Sequence, residues 1–146
     1  TAHAVLPEVL PKLHVPFIHI VNETVAEIAN TQPKARQVGV LATNACLESE
    51  VYQSAILVSG RGIVLPLSER QQELMGLIDR IKRGDKGEAV RQAMRAIAID
   101  LAEQGAEVIV AGCTEIPLVL GQDELDLPFI SSTEVLARRT VAMANS

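Results

Sequence analysis

Short, nearly continuous apolar runs alternate along this chain with stretches in which apolar residues recur every three or four positions. Val38-Gly39-Val40-Leu41-Ala42, Ile63-Val64-Leu65 and Val108-Ile109-Val110-Ala111 are runs of the first kind, with shorter ones at Phe17-Ile18-His19-Ile20 and Phe129-Ile130. They lack the apolar–polar alternation of a half-exposed strand, which predicts strands covered on both faces, as in a parallel sheet. The second kind predicts helices. Val90, Ala93, Met94, Ile97 and Leu101 make one apolar stripe, and Gly105 just after Gln104 is a natural stop. Leu74, Leu77, Ile78 and Ile81 make another before Gly84. Val5, Leu6, Val9, Leu10 and Leu13 make a third, whose limits Pro7 and Pro11 blur, and Glu23–Ala29 and Glu134–Ala144 complete the set.

Strand and helix in alternation predict an α/β fold, a parallel sheet with helices on both faces. Residues 36–130 hold enough elements for one complete domain of this kind. Residues 1–35 supply only a helix, a strand and a second helix, and are expected to be the remainder of a first, similar domain. Residues 131–146 form a last helix expected to pack back on that first domain.

Composition narrows the chemistry. Of 146 residues 48% are hydrophobic but only 2% aromatic, with no Trp, so the core must be Ala, Val, Ile and Leu, with no platform for base stacking. A net charge of −5 also disfavours nucleic acid, whose affinity comes from clustered cations. Lys12, Lys34, Lys82 and Lys86 lie in polar, turn-like surroundings, and none reads as the Schiff-base lysine of a pyridoxal enzyme. No apolar run is long enough for a membrane span, and no signal peptide is visible. Two cysteines without ligand spacing suggest a reducing cytoplasm, and His3, His14 and His19 show no metal pattern. The chain opens Thr1-Ala2-His3 with no Met, so its natural start is expected upstream.

In open α/β sheets ligands bind beyond the carboxyl ends of the strands. Here Val40-Leu41-Ala42 runs into Thr43-Asn44, and Val110-Ala111-Gly112 runs into Cys113-Thr114. Each is expected to open a helix, whose free N–H groups and positive end suit a carboxylate. Cys113 reads either as a small core residue or as a thiol whose thiolate that helix end stabilises; spacing leaves both open. Glu115 would hold the thiol protonated or shuttle its proton, or simply sit favourably in a first helical turn. Cys46 reads first as a small residue packed at the start of a helix containing Glu48, Val51 and Tyr52. Thr43 and Asn44 read as N-caps that could also face a ligand. Lys82-Arg83-Gly84-Asp85-Lys86 reads as a charged connection between helices.

Thr1-Ala2-His3, Leu41-Ala42-Thr43-Asn44-Ala45-Cys46-Leu47-Glu48 and Ala111-Gly112-Cys113-Thr114-Glu115-Ile116 together resemble the aspartate/glutamate racemase family. Ile81-Lys82-Arg83-Gly84 and Ser132-Thr133-Glu134-Val135-Leu136-Ala137 fit the same pattern, so the likeness runs from the first residue to the last helix. It implies two similar α/β domains facing each other, usually in a homodimer, with a cofactor-independent active site in the cleft between them. One cysteine thiolate removes the α-proton of an acidic amino acid, and an opposite thiol returns a proton to the other face. By this resemblance Cys113 is the second catalytic cysteine and Glu115 its acidic assistant. Thr1, Thr43, Asn44 and Thr114 would bind the α-carboxylate and amine, and Lys82 the side-chain carboxylate. Cys46 joins that substrate group where threonine is usual, and Ser131 stands where aspartate is common. The first catalytic position precedes Thr1, so this chain alone is expected to be impaired. Related cleft-cysteine enzymes (hydantoin racemase, maleate isomerase, malonate decarboxylase) are the near alternatives. A non-catalytic carboxylate-binding module is the distant one.

Overall fold

Four short apolar segments pair edge to edge in the computed structural model, which describes residues 17–145. They are β1 (Gln37–Leu41), β2 (Gly62–Val64), β3 (Val108–Ala111) and β4 (Phe129–Ser131), all parallel, in the spatial order β2-β1-β3-β4. Helices α1 (Ile20–Thr31), α2 (Asn44–Glu48), α3 (Val51–Val58), α4 (Ser68–Lys82), α5 (Glu88–Glu103) and α6 (Ser132–Ala144) connect and cover the strands. The expected α/β class and the central strands are therefore present.

Side chains alternate across the sheet and divide the core in two. Leu41, Ile109 and Ala111 pack with Leu74, Leu77, Ile78 and Ile81 of α4 and with Val90, Met94, Ile97 and Leu101 of α5. Val38, Val40, Val108 and Val110 face the other way, toward Val21 and Ile28 of α1, Tyr52 and Ile56 of α3, and Val135 of α6. Each fully buried Val, Leu or Ile contributes about 1.5–3 kcal/mol, so these two layers dominate the stabilising side. Gly39 leaves room for α5 and the turn that follows it: a Cβ there would lie 2.8 Å from Ile109 Cδ1 on β3, 3.0 Å from Ala106 Cβ and 3.2 Å from Leu101 Cδ1 of α5. Gly105 ends α5 as expected. Its φ of +100° suits only glycine, and the next amide, Ala106 N–H, closes back on Leu101 O at 2.9 Å.

One expected strand is not a strand. Phe17-Ile18-His19 is irregular, and Ile20 already opens α1, with His19 Nδ1 accepting the Asn22 N–H at 3.5 Å as an N-cap. A four-residue apolar run can begin a helix as readily as it can form a strand. The stripe from Val5 to Leu13 lies outside the described residues, as do Thr1, His3, Lys12 and His14.

The first and last described helices pack on one another. Glu23 and Glu27 of α1 meet Arg139 and Arg138 of α6 at 2.7 and 2.8 Å. Both helices also share a core layer with β1, β3 and β4. Elsewhere a single carboxylate ties two segments: Glu107 accepts the backbone N–H groups of Arg36 at 2.5 Å and Gln37 at 3.0 Å. These bonds hold its carboxyl below the usual carboxylate range. A carboxyl depressed in the folded state adds stability above its unfolded pKa and loses it as pH falls through the folded one. Glu107→Gln should therefore flatten the loss of stability on acidification, read as urea midpoints at neutral and acidic pH. An unchanged acid profile would show that the clamp carries no linkage.

Candidate active site

The sheet order itself makes a crevice. From β1 the chain moves outward to β2, then crosses back to β3 on the other side of β1, so connections leave β1 and β3 in opposite directions. Ligands in open parallel sheets bind at such a switch point, beyond the carboxyl ends. Leu41 is in register with Ala111, and Gly112 N–H continues the ladder to Leu41 O at 2.8 Å. Residues 42–46 and 112–115 are thus set side by side, as the strand-end reading requires.

On the β1 side Thr43 has extended backbone and caps α2, its Oγ1 accepting the Cys46 N–H at 3.3 Å. The single helix expected through Glu48, Val51 and Tyr52 is two helices, because Glu50 takes a left-handed φ of +54° between them. Cys46 is buried among Val40, Ala42 and Tyr52, and burial pushes its thiol up. Asn44 is exposed, with its backbone N–H turned to Met75 Sδ at 3.4 Å.

On the β3 side the expected helix is absent. Residues 113–115 turn, and only a three-residue 3-10 segment, Ile116–Leu118, follows. Ile116, Val119 and Leu120 of this short segment are buried in the α4–α5 core layer. Without aligned peptide dipoles the thiolate gains no helix-end stabilisation. Burial instead pushes the Cys113 thiol up to about 11, and the Glu115 carboxylate adds to the rise. Cys113 Sγ donates to Glu115 Oε2 at 2.9 Å, and Thr114 Oγ1 donates to the same oxygen at 2.9 Å. Partial burial opposes the charge on Glu115, but these two donors, with Lys82 nearby, outweigh it and hold its carboxyl low. At neutral pH the resting pair is therefore a protonated thiol bonded to a carboxylate. Cys113 is half-buried, neither sealed in the core nor free in solvent.

Two supports, Tyr52 and Gln71, were not apparent from sequence. A Cβ at Gly112 would lie 3.0 Å from Tyr52 Cε2 and 3.2 Å from Ala42 Cβ, so the loop bearing Cys113 rests directly on those neighbours. Tyr52 is buried, which pushes its phenol up, while the neighbouring Ser132 and Thr24 hydroxyls act against that rise. Ser132 in turn donates to Ala111 O at 2.7 Å. A lone Tyr in a chain with 2% aromatic residues was the available signal. The other support comes from α4. Its last residue, Lys82, is exposed at a helix end, not in the expected turn, and its charge acts on both Cys113 and Glu115. Gln71 on the same helix reaches Ala42 and Asn44. Cys113, Thr114, Glu115 and Lys82 are thus brought together, with Thr43 and Asn44 on the adjoining strand end. Thr1 lies outside the described residues.

Among the described residues no group of three or more His, Cys, Asp and Glu is placed to hold a metal ion. None of their helices is long and apolar enough to cross a membrane.

Residues 1–140 match a family model described as Asp/Glu/hydantoin racemase. A broad specificity amino-acid racemase, RacX, of Bacillus subtilis (strain 168) is 32% identical over 142 residues, covering 97% of this chain and 60% of that protein. A glutamate racemase of Sulfurovum sp. (strain NBC37-1) is 28% identical over 149 residues, 99% of this chain and 56% of that one. Among solved structures, an aspartate racemase homologue from Pyrococcus horikoshii OT3 superposes with a TM-score of 0.85 at 25% identity, covering 99% of this chain and 63% of that one. The chain thus spans 56–63% of the length of these proteins.

Proposed function

The chain belongs to the Asp/Glu/hydantoin racemase family, and from that premise we propose that it supplies one proton-transferring thiol, Cys113, to an enzyme that inverts the α-carbon of an acidic amino acid. The observation that carries this reading is the Cys113–Glu115 hydrogen bond at a topological switch point. Inversion needs an acid on one face of the α-carbon and a base on the other. A thiol at about 11 is the donor of such a pair at rest. It gives its proton to the α-carbanion and is left as thiolate, and in the reverse direction that thiolate takes the α-proton. The substrate ammonium and Lys82 both bring positive charge toward the sulfur, which favours the thiolate once substrate is bound. The opposite base of this proposal is sought outside the described residues. The proposed step itself is a proton transfer by the thiol and calls on no cofactor.

The relatives named above act on glutamate or on a range of amino acids. Lys82 favours a dicarboxylic substrate here, since its ammonium is the cation poised at the Cys113–Glu115 edge. The test is L-aspartate and L-glutamate in heavy water with the complete protein: α-deuteration with optical inversion is expected, and the absence of both would reject the proposal. Lys82→Met should lower kcat/KM for acidic amino acids about tenfold and spare neutral ones, as loss of one charged contact predicts. A uniform loss across a substrate panel would remove Lys82 from the side-chain subsite.

The state of the thiol gives a separate check. Glu115 raises the Cys113 pKa through its hydrogen bond and its charge. Glu115→Gln should therefore raise the rate of Cys113 alkylation by iodoacetamide near pH 8, with the modified residue located by mass spectrometry. A slower reaction would mean that Glu115 activates the thiol in the free protein.

A further inference from the structure

We infer that Gln71 is a positioning residue that fixes the side-chain amide of Asn44 with its N–H₂ group toward the crevice, making that position a receptor for a carboxylate and not for an amine. The inference rests on the proposed racemase reading, since the carboxylate is that of its amino-acid substrate.

The chain of constraint begins in the backbone. Ala42 is fully buried at the end of β1, and its carbonyl is an acceptor only. Gln71 Nε2 lies 3.0 Å from that oxygen and 2.8 Å from Asn44 Oδ1. Were the glutamine amide turned over, its own oxygen would face the Ala42 carbonyl at the same distance, two lone-pair groups in contact. The backbone therefore selects the orientation in which Gln71 donates. Its second N–H then requires an acceptor on Asn44, which sets Oδ1 toward Gln71 and leaves Nδ2 pointing away.

Several other donors at this edge are already committed. The Asn44 backbone N–H goes to Met75 Sδ at 3.4 Å, the Cys46 N–H goes to Thr43, and Thr114 Oγ1 donates to Glu115. Asn44 Nδ2 and the Thr43 hydroxyl hydrogen are side-chain donors that the β1 side retains for an anion. Gln71 Oε1 is buried with no partner among the described residues. That unmet acceptor is a cost of the arrangement, accepted where an apolar side chain would have packed without one. A residue kept for packing alone has no need of it.

The experiment is steady-state kinetics on the complete protein with Gln71→Met, Asn44→Ala and the double variant. Gln71→Met keeps the length and removes the donors. It should raise KM about tenfold with kcat within a few-fold, as expected for losing one oriented bond to a charged group. Because Gln71 acts through Asn44, the double variant should be no worse than Asn44→Ala alone. Gln71→Glu, which cannot donate to Ala42 when ionised, should raise KM likewise, and it serves where Gln71→Met folds poorly. Thermal unfolding and Cys113 alkylation are followed in each variant to separate positioning from general damage. Unchanged KM, effects that multiply with Asn44→Ala, or a fall in kcat tracking a fall in melting temperature would each overturn the inference while the racemase reading stood. Absence of racemisation in the unsubstituted protein would overturn both.

Discussion

Replacing Cys113 with alanine in the complete protein should lower kcat by about three orders of magnitude or more, the scale of a lost proton-transfer group. Binding should survive. The contacts proposed for the substrate carboxylates come from Thr43, Asn44 and Lys82, none of which hydrogen-bonds to the sulfur. Stability should change little, because Cys113 is only half-buried at the margin of the α4–α5 core layer. The variant should therefore still be stabilised against heat by aspartate or glutamate while neither inverting nor deuterating them. Retention of more than a tenth of the activity would remove the thiol from the chemistry. Loss of ligand-induced stabilisation along with turnover would make Cys113 a structural residue of the binding edge.

The largest expected effect on folding is at Leu101. This side chain is fully buried on α5, close enough to the sheet that a Cβ at Gly39 would sit 3.2 Å from its Cδ1. Leu101→Ala should cost about 2–5 kcal/mol, the sum of lost apolar burial and the cavity left behind. For a domain of this size that is a fall in melting temperature of roughly 10 °C or more. Rigid neighbours on both sides, Ala106 and the Gly39 backbone, leave little for collapse into the gap. A loss below 1 kcal/mol, measured by denaturant unfolding, would show that α5 shifts inward and that the close approach over Gly39 is not fixed.

The parts of the fold legible in sequence were those set by periodicity and punctuation. Val38–Ala42 and Val108–Ala111 announced buried strands because every position is apolar or small, and Gly105 marked the end of α5. The elements misjudged were short ones in which few residues carry the pattern. Phe17-Ile18-His19 opens a helix, and Cys113 precedes a 3-10 turn where a helix was expected. That second error had chemical weight. A helix end would have lowered the thiol pKa, whereas burial beside a carboxylate raises it to about 11. The residues that the structure gathers at the candidate site were legible as neighbours because strand ends and motif likeness both pointed to Thr43, Asn44, Cys113, Thr114 and Glu115. Gln71 and Tyr52 were not, since each reaches the site only through tertiary contacts that no local spacing encodes.

The neighbouring placement of β1 and β3 also bears on how the protein comes into being. Val38 pairs with Val108, and everything from α2 through α5 lies between them in the chain. Such a pairing closes late, because a long loop must lose its freedom before the contact returns anything. A ribosome would have to release the whole of β3 before Cys113 could settle beside Ala42. Cys113 and Glu115, only two residues apart, can meet locally, but their pair would reach its place beside Ala42 only in a nearly finished molecule.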